Sequence, residues 1–359
     1  MKYSYRNLPI DRIGFRFRRY FSVVLRLIPL QPQNSPRRHS GFRQLRPLAL
    51  HFAKNENEKS LMSLKPTLSI VTLMLCLAIS FLLLFPALLH ADEGVIEKDI
   101  TYTIVKGDYG GIIEGKIGLE WSHIASSNQI KYNAPLEIGQ KLNIKFRRIT
   151  PSHVDNGIVI NIPDRTLYRF SDGKLKDYYF IAAGKPTWQT PLGEFTIKSK
   201  AKDPTWYVPP SIQKEMEEKG QDIIVEISPG SENPLGEYWL QLSLKGIGLH
   251  GTNAPQSIYK FRSHGCMRLR PEVAKFLFKD IVVGTKGMVI YEPVKAAKTS
   301  DNRIVIEVYK DFYKKRINYD DKIKEKLKEL NALDRVDWNK IKEAIEKKDG
   351  LVWDVSLPR

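Results

Sequence analysis

An uninterrupted apolar run from Leu68 to Phe85 divides this 359-residue chain before any domain can be drawn on it. The run carries no charge, Lys65 stands just ahead of it, Pro86 breaks it, and Ala91 offers a small residue for cleavage. Positive charge, apolar core and small residue in that order read as an export signal beginning at Met62. The length of the run also suits an uncleaved membrane anchor. Leu73-Met74-Leu75 supply no small residue ahead of Cys76, so lipidation is not expected. Whatever follows Ala91 must therefore fold outside the cytoplasm.

Residues 1–61 show no sustained apolar period and are broken by Pro29, Pro32, Pro36 and Pro47. They read as a basic disordered stretch, or as an extension upstream of a chain that starts at Met62. Thirteen Lys/Arg against three Asp/Glu give this segment a net charge of +10 out of a total of +17. Only Lys65 is charged between 62 and 91, which leaves +6 on residues 92–359. So mild a surplus fits work on an anionic envelope, and no nucleic-acid partner is expected.

Export sharpens the meaning of the cysteines. Of the two, Cys76 lies inside the apolar run, so the exported part owns one thiol, Cys266, and no internal disulfide is available to it. Cys266 sits in HGTNAPQSIYKFRSHGCMRL, residues 250–269, with His250 and His264 close by and Gly265 directly before it. A thiol is mostly protonated at neutral pH, so a nucleophilic cysteine needs a base to take its proton and amides to hold an oxyanion. This stretch offers both. Two plainer readings exist, a buried inert thiol and a zinc ligand; the second lacks any CxxC or HExxH spacing.

The motif His250-Gly251-Thr252, then a loop, then Ser263-His264-Gly265-Cys266-Met267-Arg268, resembles the catalytic domain of bacterial L,D-transpeptidases, the cysteine enzymes that cross-link peptidoglycan stem peptides. The likeness extends through Thr190 to Phe195 (TPLGEF), Trp206 to Pro210 (WYVPP) and Gly284 to Tyr291, and covers about 155–292. Arg268 stands where many members carry Asn, Arg being a common variant. The resemblance implies that Cys266 attacks the carbonyl of the third residue of a tetrapeptide stem, expels the terminal D-alanine and passes the acyl group to an amine. It implies His250 as base and His264 as support for the pocket. The amides of His264, Gly265 and Cys266 are expected to form the oxyanion hole. A carbonyl such as that of Gly251 is expected to hold the second nitrogen of His250, and Ser263, Arg268, Trp206 and Tyr207 to line the substrate site. Arg268 suits a stem carboxylate, since a guanidinium meets that group with two parallel hydrogen bonds. No metal or organic cofactor is expected, and carbapenem-type inhibitors are.

Ahead of this region, Tyr102 to Asp108 and Leu136 to Ile144 alternate like strands, and between them Ile112, Ile113, Ile117 and then Trp121, Ile124, Ala125 space like two short helices. This strand, helix, helix, strand order over 100–147 resembles a LysM module, which implies binding to the glycan strands of cell walls. Tyr109-Gly110 replaces the usual Thr-Leu there. The bland alternative is a spacer.

In 155–292, short alternating runs separated by Ser171-Asp172-Gly173, Asn233-Pro234-Leu235-Gly236 and Gly246-Ile247-Gly248 predict a mostly β sandwich or open barrel. A helix is predicted from Pro271, with Val273, Phe276, Leu277, Asp280 and Ile281 on its core face. Trp188, Trp206 and Tyr207 suit either core or a cleft wall. Beyond 300, residues 303–309 predict one strand, followed by charged helices with Asp337 capping the last. The expected product is an exported enzyme of the periplasm or cell envelope. Its rivals are an L,D-carboxypeptidase using the same site, an enzyme attaching lipoprotein to peptidoglycan, and a non-catalytic wall-binding adaptor. Binding and chemistry are expected to sit on separable modules.

Overall fold

The computed structural model describes residues 94–358, His153 excepted. The basic stretch 1–61 and the signal or anchor segment 62–91 lie outside the described residues. No helix among the described residues is long and apolar enough to cross a membrane.

The N-terminal unit opens with β1 (Val95–Thr103), continues through α1 (Gly110–Ile117) and α2 (Trp121–Ser127), and closes with β2 (Lys141–Ile149), antiparallel to β1 along its whole length. Strict alternation in β2 sends Leu142, Ile144, Phe146 and Arg148 to one buried face. The unusual Tyr109-Gly110 pair has a packing cause: a Cβ at Gly110 would lie 2.4 Å from Cγ of Trp121, whose ring fills that place.

The central region contains β3 (Gly157–Asn161), β4 (Thr166–Ser171), β5 (Lys174–Phe180), β6 (Ala183–Gly184) and β7 (Gly193–Lys202). It continues with β8 (Trp206–Tyr207), α3 (Pro210–Glu218), β9 (Glu226–Ile227), β10 (Tyr238–Leu242) and β11 (Gly248–His250). It ends with β12 (Phe261–Ser263), β13 (Met267–Arg268), α4 (Pro271–Asp280) and β14 (Lys286–Ile290). Eight of these strands form one curled mixed sheet in the order β13-β11-β10-β7-β14-β3-β4-β5, in keeping with a mostly β fold. Only the β11/β13 and β14/β3 pairings are parallel in it. α4 covers the sheet with Ala274, Leu277 and Ile281. Phe276, expected on that core face, is instead 45% exposed and lies against Tyr179, because the sheet meets the helix one residue round from the predicted stripe.

The chain then forms β15 (Val294–Lys298), β16 (Ile304–Tyr309), α5 (Tyr319–Glu329), α6 (Trp338–Lys347) and β17 (Asp349–Asp354). Where the sequence predicts one strand there are three, in the antiparallel order β15-β16-β17, with a core built from Ile304, Ile306, Ile323, Leu327 and Ile341 among others. Asp337 accepts from the amide of Asn339 at the start of α6, as a capping residue does.

The N-terminal unit and the central region are not separable. One apolar cluster joins Ile113, Trp121, Leu142, Ile144 and Phe146 to Val159, Tyr168 and Phe170 of the sheet, with Tyr178 and Phe180 packed against it. Below it lies a closed ionic network: Lys295 Nζ is 2.7 Å from Asp164 and 2.9 Å from Glu307, and Arg148 Nε is 3.6 Å from Glu307. Two cations and two carboxylates, all essentially sealed from solvent, come from three parts of the chain and cancel in charge.

Candidate active site

The parallel pairing of β11 with β13 sets Leu249 beside Met267 and His250 beside Arg268. Leu249 and Met267 are fully buried in the core of the sheet, so alternation turns Gly248, His250, Cys266 and Arg268 to the opposite face. Three chemically able side chains thus share one corner because two apolar neighbours claim the other side.

Gly248 keeps this corner open. A Cβ there would meet the Trp239 ring at 2.5 Å, and Trp239, paired with His250 across β10, lays its ring 5.7 Å from the imidazole at a tilt of 31°. The Gly248 amide is hydrogen-bonded to the sulfur of Cys266, while the thiol points to the Gly246 carbonyl at 3.5 Å. Burial pushes the thiol up to about 11, against a smaller lowering by that amide and by Arg268.

His250 is buried, and its Nδ1 lies 2.6 Å from the Gly251 carbonyl, with the carbonyls of Leu235 and Pro234 also facing the ring. A carbonyl only accepts, so Nδ1 carries the proton and Nε2 keeps its lone pair. Burial, helped by Arg268, drives the imidazole down to about 4. At neutral pH the site therefore rests as a neutral thiol and a neutral imidazole.

The loop bearing Cys266 is tied internally. Ser263 donates to the Cys266 carbonyl at 2.5 Å and accepts from the Gly265 amide at 3.2 Å. Of the three amides expected to converge on an oxyanion, that of Gly265 is thus turned to the Ser263 hydroxyl, and those of His264 and Cys266 remain. Gly265 itself adopts φ +110°, a conformation side chains rarely take, and a Cβ would press on Ile247 at 3.1 Å.

His264 turns away from the thiol corner to a polar cluster. Its Nε2 lies 2.7 Å from Glu215 on α3 and 3.2 Å from Lys185, and its ring meets Trp188 edge to face at 5.0 Å. Burial holds His264 below its usual value, with Lys185 adding to this and Glu215 opposing it. Glu215 is lowered to about 2 by hydrogen bonds from Lys219, Lys185 and His264.

Arg268 lies largely inside the protein. Its Nε has no partner, Nη1 reaches only Ser257 Oγ at 3.4 Å, and among the described residues no carboxylate pairs with it. Trp206 and Tyr207 stand on the β8/β9 hairpin, Tyr207 72% exposed, and neither makes a hydrogen bond or ring contact with His250, Cys266 or Arg268. Trp239, Glu215 and Lys185 were not singled out from sequence. Trp239 reads as an ordinary strand residue in YWLQL, and Glu215 as one of several charges on a solvated helix; only contacts between distant segments mark them. Among the described residues no three His, Cys, Asp or Glu side chains converge as metal ligands.

Residues 155–295 match the family model described as YkuD, the L,D-transpeptidase catalytic domain. The probable L,D-transpeptidase ErfK/SrfK of Escherichia coli K12 is 28% identical over 243 residues, 64% of this chain and 78% of that protein. The probable L,D-transpeptidase YbiS of the same strain is 36% identical over 48% of this chain and 56% of its own length. YqjB of Bacillus subtilis, named for the same activity, is 33% identical over 43% of this chain and 77% of its own length. The chain thus spans between about half and three quarters of these relatives.

Proposed function

Because the chain belongs to the L,D-transpeptidase family, we propose that it is a peptidoglycan L,D-transpeptidase that works through a cysteinyl thioester. The observation that carries the chemistry is the fixed tautomer of His250: Nδ1 is committed to the Gly251 carbonyl, which leaves Nε2 as the acceptor on the face that also bears Cys266. Attack and proton transfer then run together. The sulfur adds to the carbonyl of the third stem residue as its proton passes to His250 Nε2, since neither a standing thiolate nor a standing imidazolium is favoured here. The amides of His264 and Cys266 receive the oxyanion. Collapse breaks the peptide bond, the imidazolium returns its proton to the departing D-alanine amine, and a thioester remains. The amine of a second stem, giving its proton to His250, attacks the thioester and frees the thiol, forming a bond between two third-position residues.

Arg268 receives a stem carboxylate. A buried guanidinium without a counterion is costly, and a ligand that supplies the missing charge and acceptors gains what the empty site lacks. Gly251, Gly265 and Ser263 act on the protein side by fixing His250 and the loop, and Trp206 and Tyr207 lie on a hairpin that flanks the substrate. The unit β1-α1-α2-β2 is read as a LysM-type module for glycan strands, a reading supported by its element order. The segment 62–91 serves for export or anchorage, placing the enzyme in the periplasm or cell envelope.

Mass spectrometry of the protein with a carbapenem tests the assignment. Cys266→Ala and His250→Ala should both abolish the covalent adduct, because base and nucleophile act as a unit. His264→Ala should still acylate, slowly. Full-rate acylation of His250→Ala with none in His264→Ala would overturn the choice of base. Products from tetrapeptide muropeptides distinguish transfer from hydrolysis: tripeptides alone, with no cross-linked dimer, would make this an L,D-carboxypeptidase.

A further inference from the structure

Arg148 occupies a place in β2 where alternation calls for an apolar residue. It follows Leu142, Ile144 and Phe146 on the buried face and has no exposed surface. Its guanidinium links segments that are far apart in sequence. Nη2 donates to the Gly118 carbonyl at 2.6 Å and to the Tyr259 hydroxyl at 2.9 Å, and Nη1 donates to Thr166 Oγ1 at 2.7 Å.

Tyr259 is the unusual partner. It has φ +65°, in the left-handed region, where a bulky side chain is a true outlier and such strain persists only under constraint from its surroundings. The constraint is visible. The ring is buried, the Arg165 guanidinium lies 4.0 Å over it, Phe180 meets it edge-on at 5.7 Å, and its amide donates to the Ile181 carbonyl at 3.0 Å.

The residues on either side of this strained point lead to the reactive corner. Two positions earlier, Ser257 Oγ is the one side-chain partner of Arg268 among the described residues, at 3.4 Å. One position later, the Lys260 carbonyl accepts from Ala183, whose neighbour Ala182 exchanges two backbone hydrogen bonds with Arg268, at 2.9 and 3.0 Å. The N-terminal unit grips this segment from outside as well. Lys260 Nζ is 2.7 Å from Glu114 on α1, and a Cβ at Gly115 would lie 3.1 Å from the Ile258 carbonyl, so the helix and the loop approach as closely as a glycine allows.

We propose that Arg148 and Tyr259 are positioning residues for the transfer reaction: the N-terminal unit, through them, holds residues 257–260 in the strained path that aligns Arg268 to receive the stem carboxylate. This rests on the reading of Arg268 as the carboxylate-binding group. Arg148 and Tyr259 touch no reacting atom. Release of the strain at Tyr259 would swing Ser257 off Arg268 and leave the thiol and its base in place, so the effect belongs to substrate binding and not to the chemical step.

Steady-state kinetics of the full exported chain on a synthetic tetrapeptide stem test this, with thermal denaturation as a fold control. Tyr259→Phe removes only the hydroxyl; it should raise KM about tenfold and keep kcat within about twofold. Arg268→Met should raise KM at least as much, and adding Tyr259→Phe to it should change nothing further, since the first residue acts through the second. Should Tyr259→Phe melt far below the parent, Lys260→Met takes its place, with a smaller rise in KM, about threefold, that also vanishes in the Arg268→Met background. An unchanged KM in these loop variants beside a raised KM in Arg268→Met would overturn the positioning role alone, as would a loss confined to kcat or losses that multiply in the double variant. An unchanged KM in Arg268→Met would instead remove the carboxylate reading, and the positioning role with it.

Discussion

At the scale of the residue, the thiol and the imidazole are held apart in charge, not paired as ions. With Cys266 raised to about 11 and His250 lowered to about 4, protonation of the base matters only in acid and ionisation of the thiol only in strong alkali. Two rates that titrate in different pH ranges follow. Alkylation by iodoacetamide needs the thiolate, so it should be on the order of a hundredfold slower than for a free cysteine at pH 7 and rise about tenfold per pH unit toward 11. With neutral His250 as the proposed base, acylation by a β-lactam should fall as pH drops through 4 and stay level from about pH 5 to 9. An alkylation rate that is already level above pH 6 would reveal a standing thiolate–imidazolium pair and overturn this account. The candidate nucleophile and base could be picked out because a thiol, two histidines and a glycine lie within one short motif. The inward turn of the Gly265 amide was not, because the Ser263 hydroxyl that captures it could equally have faced substrate.

Among the elements, α3 stands apart from the rest. It buries no residue, although it carries Ile212 and Met216, and Glu215 ties it to the body by ionic and hydrogen bonds to His264 and Lys185. A helix without a buried face has little but such bonds to hold it down, and part-exposed ion pairs are individually weak. Glu215→Gln should therefore raise amide hydrogen exchange across 210–218 about tenfold, with β7 and β10 unaffected. Unchanged protection would mean that the hairpin of β8 and β9, pinned by Asn233, holds the helix unaided. Sequence signals were adequate for β10 and α4, but they put the two strands of the N-terminal unit at 102–108 and 136–144, whereas β1 ends at Thr103 and β2 begins only at Lys141, the turn residues around Gly107 and Gly139 having been read as strand. They gave little for β8, β9 and β13, two-residue strands that exist only because distant partners present free backbone groups, or for β15 and β17, which complete a sheet around the one strand, β16, whose alternation is plain.

For the whole molecule, the finding that alters expectations is the shared core. Removing 100–146 would uncover Val159, Tyr168, Phe170, Tyr178 and Phe180, worth on the order of 10 kcal/mol of apolar burial, comparable with the entire stability of an ordinary domain. A chain shortened in this way should fail to give a cooperative thermal transition and should not acylate. A sharp transition with normal acylation would show that the sheet folds without its neighbour. Nothing in the sequence of either part announces the union, because each alternates like a free-standing unit, and Arg148 looks like a surface charge until its partners are seen. A flexible tether between a binding part and a catalytic part trades aim for reach. Here the N-terminal unit and the sheet that carries the reactive corner share one core. With the glycan-binding role proposed for the N-terminal unit, so rigid a joint would set each new bond at one fixed offset from the strand that unit holds.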